Sequence, residues 1–270
     1  MPKVLFSLPS RKRLQAHWSL VRAIGAPAAL QLSRSMRMAS TDPDLCFSIH
    51  PKQLRHPVSI RSHTSDLDVF CQIFVEQEYA CLKNILSPGL IIDCGANVGF
   101  SSAYFLSTFP ESRVIAVEPD LSNYHAAKSN LSPYGDRAQI LNVGIWSRCS
   151  GLGLRKDRYR DGRQSSRQVE EINPSEPGSI RGVDIPYLLS VSGQDRISLL
   201  KMDVEGAESK VFAPEANPGA WLHLVDAIVI ELHDDSVFGP CSEIFYEAVK
   251  DCGFEFSVSG ELTVCLPPRS

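Results

Sequence analysis

Leu90-Ile91-Ile92-Asp93-Cys94-Gly95-Ala96-Asn97-Val98-Gly99 is the stretch on which the fold turns. Leu90 to Cys94 is a short apolar run carrying one acid, the length and character of a buried strand. A glycine turn follows, and Phe100 to Phe109 then reads as a helix stopped by Pro110. Strand, turn and helix open an α/β unit. Ligands of such sheets bind outside the C-terminal ends of the strands, so Asp93 to Gly99 is the first candidate binding turn.

The pattern repeats downstream. Arg113 to Val117 is a second apolar strand ending at Glu118-Pro119, and Asp120 caps a helix running to about Leu131. Ala138 to Ile145, Ile197 to Met202 and Ala227 to Leu232 read as three further strands. Glu243 to Asp251 reads as a helix closed by Gly253. Phe254 to Val258 and Leu262 to Leu266 then form a hairpin turning at Ser259-Gly260. Strands alternating with helices predict a mainly parallel sheet, here closed by an antiparallel last strand.

Upstream, residues 45–62 suggest short strands or a β-hairpin, and Asp66 to Leu86 reads as a helix capped by Ser65 or Asp66 and stopped by Pro88-Gly89. Before Asp42 there is no acid, while Lys3, Arg11, Lys12, Arg13, Arg22, Arg34 and Arg37 make the N-terminal region basic. This reads as a basic leader with a docking helix near Trp18 to Leu32, ahead of a transit peptide or membrane-surface helix, because a secretory apolar core is absent. Between Trp146 and Ile197 lies a polar insertion in which Arg155, Lys156, Arg158, Arg160, Arg163 and Arg167 crowd against Asp157 and Asp161, followed by Glu170 and Glu171. A solvated hairpin or loop is the plainer reading, and a mobile lid steering an anionic substrate the functional one.

The 270 residues are 43% hydrophobic and 21% charged, ordinary for a globular protein with a full core. A net charge of -4 argues against a general nucleic-acid binder. The eight cysteines include no C-x-x-C pair, which argues against a zinc ribbon and suits a reducing, cytoplasmic setting. No stretch is apolar for long enough to span a bilayer.

Asn97 stands where a dinucleotide site places its second glycine, the one that admits a pyrophosphate. Glu118, at the end of the second strand, can accept hydrogen bonds from both ribose hydroxyls of a nucleoside. Lys201-Met202-Asp203-Val204-Glu205-Gly206-Ala207-Glu208 sets a dense group of carboxylates after a buried strand. Glu205 and Glu208 would share a face if a helix starts there. Acids complementing a helix dipole explain one of them well and the cluster poorly. Glu231 and His233 should project to one side of the sheet, as structural polar groups, for substrate positioning or for proton transfer. With Asp203 they could also hold a divalent metal, but the site is assigned none.

Asp93 to Gly99, then Val117-Glu118-Pro119, then Leu200 to Glu208 together resemble the FkbM family of methyltransferases, over roughly residues 60–256. The Lys-x-Asp-x-Glu-Gly-x-Glu signature is the most specific element, and Arg61 to Asp66 also looks like the family. The resemblance implies a Rossmann-like class I methyltransferase fold in a domain spanning 61–270, with residues 1–60 as an N-terminal addition and about 147–196 as an insertion. It implies S-adenosylmethionine as methyl donor and a hydroxyl of a sugar or other small metabolite as acceptor. Asp93, Gly95, Ala96, Asn97 and Gly99 should then line the methionine end, Glu118 the ribose, and Gly144 and Ile145 the adenine. Asp203 and Glu205 should face the methyl-transfer centre, with Asp203, Glu205 or His233 taking the hydroxyl proton. An NAD-dependent oxidoreductase fits the turn and Glu118 but not Asn97 or the acidic cluster. An RNA 2′-O-methyltransferase would need an aromatic-rich basic patch, which is missing.

Overall fold

The computed structural model describes residues 18–42, 44–84, 87–155 and 168–268. The chain is helical over 18–24 and again over Ala26–Ala39, broken at Gly25, whose φ is 91°. The expected docking helix is thus two helices reaching past Leu32, with Leu20, Ile24, Ala28, Ala29 and Leu32 buried. Lys3, Arg11, Lys12 and Arg13 lie outside the described residues. The hairpin expected within 45–62 is present as β1 (Cys46–Ile49) and β2 (Val58–Arg61), paired antiparallel.

The single helix expected over Asp66 to Leu86 is not what forms. The chain is α-helical over Asp66–Phe70, widens to a π-helical turn over Cys71–Val75, and resumes as a 3₁₀ helix over Glu78–Asn84. Gln77 sits between them at φ 58°, a left-handed residue that no α-helix accommodates. The break brings Gln72 Nε2 to within 2.6 Å of Glu78 Oε1.

β3 (Leu90–Cys94), β4 (Arg113–Val117) and β5 (Ala138–Leu141) open the central sheet. β6 (Gly144–Ile145), β7 (Ser150–Leu154), β8 (Val169–Ile172) and β9 (Ile180–Val183) form a second, four-stranded sheet, and β10 (Leu199–Met202), β11 (Ile228–Glu231), β12 (Glu255–Ser259) and β13 (Leu262–Leu266) return to the first. The central sheet has seven strands in the order β12-β13-β11-β10-β3-β4-β5. It is parallel from β11 through β5, and β13 runs antiparallel to both its neighbours. This is the mainly parallel sheet with an antiparallel C-terminal strand that the βα repeat and the closing hairpin predict.

Strand alternation decides where the polar residues emerge. Ile91, Leu199 and Val229 face the apolar cluster that contains Phe100, Phe105 and the N-terminal helices. Ile92, Leu200, Ile228 and Ile230 face the opposite cluster, with Phe212, Trp221 and Phe245. Asp93, Lys201 and Glu231 have the parity of the first set, so all three project to one face near the strand ends. The β3–β10 register places Lys201 directly beside Asp93.

The expected third strand, Ala138 to Ile145, is split. Asn142 Nδ2 donates to the carbonyls of Glu118 (2.9 Å) and Pro119 (3.0 Å), tying the chain across the end of β4. Beyond it β6 leaves the central sheet to pair with β9. The insertion is more than a solvated loop: β7 and β8 form a hairpin, β9 adds to it, and Leu152 and Val169 pack with Trp146 and Ala207. Arg155 pairs with Glu170 at 3.0 Å. Lys156, Arg158, Arg160, Arg163 and Arg167, on which the lid reading rested, lie outside the described residues. Among the described residues no helix is long and apolar enough to cross a membrane.

Candidate active site

A cavity opens at the C-terminal ends of β3, β4 and β10. The turn residues Gly95, Ala96 and Asn97 line it, with Glu118, Gly144, Ile145, Asp203, Glu205 and Glu231. Most of the residues singled out in the sequence thus lie together on one wall. Asp93, Gly99 and His233 are not on the wall.

Asp93 builds the turn from behind. Its Oδ2 accepts from the hydroxyls of Ser101 and Ser102, both at 2.6 Å, and its Oδ1 lies 3.1 Å from Lys201 Nζ. Lys201 donates in turn to the carbonyls of Gly95 (2.7 Å) and Cys94 (3.3 Å). A buried lysine in an apolar strand is affordable because those three partners satisfy it; its pKa is raised, since Asp93 and Asp203 outweigh the cost of burial. Gly99 caps the Phe100–Thr108 helix at φ 83°, where a Cβ would lie 3.2 Å from Ala127 Cα. Gly95 is required by the chain packed against it. A Cβ on it would lie 1.8 Å from the carbonyl oxygen of Asp203, so the glycine admits the neighbouring turn.

Glu118 ends β4 as a pinned carboxylate. Oε2 accepts from the Asn97 main-chain N–H at 2.9 Å and Oε1 from that of Asp120 at 2.8 Å. Burial pushes its pKa up to about 8. Asn97 itself takes the left-handed φ of 50°, and its side-chain Oδ1 is buried without a hydrogen-bond partner.

The acids after β10 do not share a helix face. Glu205 has φ 56° and Gly206 φ 106°, so the chain coils before the helix starts at Glu208. Glu208 turns inward and is fully buried. Its Oε1 accepts from the Val204 N–H at 3.0 Å and its Oε2 from the Gly206 N–H at 2.6 Å. The same Oε1 lies 2.8 Å from His233 Nδ1. The other ring nitrogen, Nε2, is 3.2 Å from Glu231 Oε1, 3.4 Å from Glu205 Oε2 and 3.8 Å from Asp203 Oδ1. His233 is thus buried behind the three carboxylates that form the wall. Burial opposes its charge, but Glu208, Glu231 and Asp203 overcome this and push its pKa up to about 12. With that proton bound it stands as a cation behind the carboxylates. Asp203 keeps 32% of its side chain exposed to the cavity, and burial is the largest cause lifting its pKa to about 6, against Lys201.

Several wall residues were not foreseen. Glu78 and Gln72 come from the broken N-terminal helix, Leu154 and Val169 from the insertion sheet, and Glu261 from the closing hairpin. Burial, then the charge of Asp203, raises the Glu78 carboxyl to about 7. Lys201 lay within a quoted motif, and its signal was a charged residue inside an otherwise apolar strand.

The chain matches the family described as "Methyltransferase FkbM domain" over residues 93–256. It is 26% identical over 227 residues to the AMB antimetabolite synthetase AmbE of Pseudomonas aeruginosa; the match covers 70% of this chain and only 11% of that protein. It is 26% identical over 218 residues to the methyltransferase sdnD of Sordaria araneosa, covering 70% of this chain and 82% of the relative. It is 29% identical over 182 residues to the 2-O-methyltransferase NoeI of Sinorhizobium fredii, covering 63% and 72%. The family match spans most of the chain and contains the glycine turn, the Glu118 strand end and the Lys201–Glu208 segment, all of which meet at one cavity. The chain belongs to the FkbM methyltransferase family.

Proposed function

We propose that the protein transfers the methyl group of S-adenosylmethionine to a hydroxyl oxygen of a small-molecule acceptor. The observation that carries this reading is a single cavity whose two ends suit the two ends of that donor. At one end Glu118 stands beside Gly144 and Ile145, an acid for ribose hydroxyls next to a surface for a base. At the other end Asp203, Glu205 and Glu231 offer negative charge to a sulfonium and an ammonium. Asn97 Oδ1, buried without a hydrogen-bond partner, supplies an acceptor at the turn where an ammonium would lie. The 2-O-methyltransferase named among the relatives supports oxygen as the methylated atom.

When bound, the donor supplies an electrophilic methyl group whose leaving group is a neutral thioether. The chain's own part is mostly positional. Holding acceptor oxygen and methyl carbon in line is worth roughly 7–11 kcal/mol. Glu118 fixes the nucleoside end, and its two main-chain donors keep the carboxylate from rotating away. Asp203, on the wall near the strand end, takes the acceptor's hydroxyl proton. The test is calorimetric titration with S-adenosylmethionine, followed by transfer of labelled methyl into a metabolite extract and mass spectrometry of the product. Micromolar donor binding and labelled methyl ether are expected. Tight NAD binding without affinity for S-adenosylmethionine would overturn the reading.

A further inference from the structure

The geometry around His233 points to a divalent metal site, and we propose that Asp203, Glu205, Glu231 and His233 bind one first-row divalent cation. The inference deepens the proposed methyl transfer, on which its functional side rests. His233 is fully buried and its Nε2 makes no hydrogen bond, yet three carboxylate oxygens converge on it at 3.2, 3.4 and 3.8 Å. Two atoms bound to one ion at about 2.1 Å each can be at most about 4.2 Å apart. All three distances fall within that limit. The ligand atoms of Asp203, Glu231 and His233 all lie within 4.8 Å of one another, and Glu205 joins them through its 3.4 Å approach to Nε2.

The support of the imidazole has the form metal-binding histidines use. Glu208 accepts from Nδ1 and is itself fixed by the N–H groups of Val204 and Gly206. With Nδ1 held as donor by Glu208, an ion has only the Nε2 proton to displace, and the freed lone pair is then directed at the three carboxylates. Charge points the same way. Lys201, the neighbouring cation, is already engaged by Asp93 and two carbonyls, and it stands 4.0 Å from Asp203 Oδ2. Three carboxylates around one imidazole leave room for a doubly charged ion. Oxygen ligands with one imidazole nitrogen suit Mn²⁺ among the available metals.

The location gives the ion a task. Asp203, Glu205 and Glu231 line the cavity while His233 closes the site from behind, so the open coordination positions face the acceptor. An acceptor hydroxyl bound there becomes more acidic, as metal-bound water does. Asp203 Oδ1 lies toward His233 and Oδ2 toward Lys201, so one oxygen would hold the ion while the other receives the proton.

The probe is Mn²⁺ alone, titrated into chelator-treated full-length protein and read by electron paramagnetic resonance, with no donor or acceptor present. One ion per chain with micromolar affinity is expected, together with broadening of the His233 ring resonances. Glu231→Gln and His233→Gln should abolish stoichiometric binding. Glu208→Gln, which changes only the support, should weaken it by about 10–100-fold. Affinity for S-adenosylmethionine should stay near that of the parent in His233→Gln and Glu208→Gln, neither of which lines the cavity, and a cooperative thermal transition reports that Glu231→Gln is folded. No saturable Mn²⁺ signal in the parent, no broadening at His233, or undiminished binding in Glu231→Gln would overturn the proposal. Mn²⁺ binding without donor binding would instead defeat the methyl-transfer reading and leave the metal site standing.

Discussion

Gly95 and Glu118 show how single residues set the limits of this site. Gly95 combines a left-handed φ of 78° with a carbonyl 1.8 Å from where a Cβ would stand. Gly95→Ala should destabilise the protein by about 2–5 kcal/mol in chemical denaturation, from the backbone penalty plus a clash that moves Asp203. Gly193→Ala provides the comparison, because its φ of 66° is also left-handed but nothing lies within 4 Å. It should cost only about 1–2 kcal/mol. Equal losses would refute the role given to the Asp203 carbonyl. Glu118 carries a pH dependence. Its folded pKa is raised to about 8, so its favourable contribution is complete below the ordinary carboxylate value and is lost as pH climbs through 8. Ribose hydroxyls favour the ionised form, so donor binding should expel a proton at neutral pH. Affinity for S-adenosylmethionine should then rise by up to about tenfold per pH unit between 6 and 8 and level off above, as read by calorimetry. A flat profile would contradict it. At this scale the sequence was legible where a residue type has one use, as with the strand-end acid Glu118. It was misleading where a polar residue faces inward: Asp93 and His233 carry the right chemistry, but Ser101, Ser102, Lys201 and Glu208 absorb their atoms from behind the wall.

Secondary-structure elements differ in how openly they announce themselves. β3, β4, β10 and β11 are short, apolar and bounded by turn residues, so a reading of apolar runs finds them. The helix after Ser65 could not be placed correctly, because its departure to a π-turn and then to a 3₁₀ helix is marked by Gln77 rather than by glycine or proline. The insertion sheet was hidden for another reason. Gly151, Gly153 and Gly182 interrupt its apolar pattern, yet a Cβ at Gly182 would stand 2.9 Å from Leu152, so that glycine makes space for the side chain, while Gly151 and Gly153 clear Pro174 and Ile172. Leu152 is fully buried and also backs Gly144, where a Cβ would meet it at 2.6 Å. This gives the insertion sheet a function as the rear support of the cavity beside Glu118. Leu152→Ala should cost about 2–5 kcal/mol of stability. It should also weaken donor binding, because Gly144 and Ile145 lose their backing. Lost stability with unchanged affinity for S-adenosylmethionine would show that the insertion sheet packs against the site without shaping it.

At the scale of the whole molecule, the family match begins at residue 93, but the core does not. Leu20, Ile24, Ala29, Leu32, Ile49 and Ile60 belong to the same apolar cluster as Phe70, Phe100 and Phe105. Polar ties reinforce the packing. Gln53 Nε2 donates to the carbonyls of Ala23 (2.9 Å) and Phe74 (2.8 Å), and Asn130 accepts from the Ser59 N–H at 2.8 Å while donating to Val98 O at 2.9 Å. Arg61 reaches Asp66, Ser122 and Asn123, joining β2 to the helix after Glu118. Asn130 therefore connects the β1–β2 hairpin to the binding turn at Val98, one residue from Asn97. A chain starting at residue 61 would leave that cluster open on one side and strip Asn130 of its β2 partner. Such a truncation should lose its cooperative thermal transition, bind an apolar dye at neutral pH and show no affinity for S-adenosylmethionine. The single substitution Ile24→Asp tests the same dependence within the full chain, since it places an unpaired charge in the cluster without shortening the protein. It should lower stability by at least about 3 kcal/mol, and donor affinity should fall only as far as the folded fraction falls. A truncated chain that melts cooperatively and binds the donor would mean that the cluster is sealed without its N-terminal part, and that the methyltransferase region folds on its own.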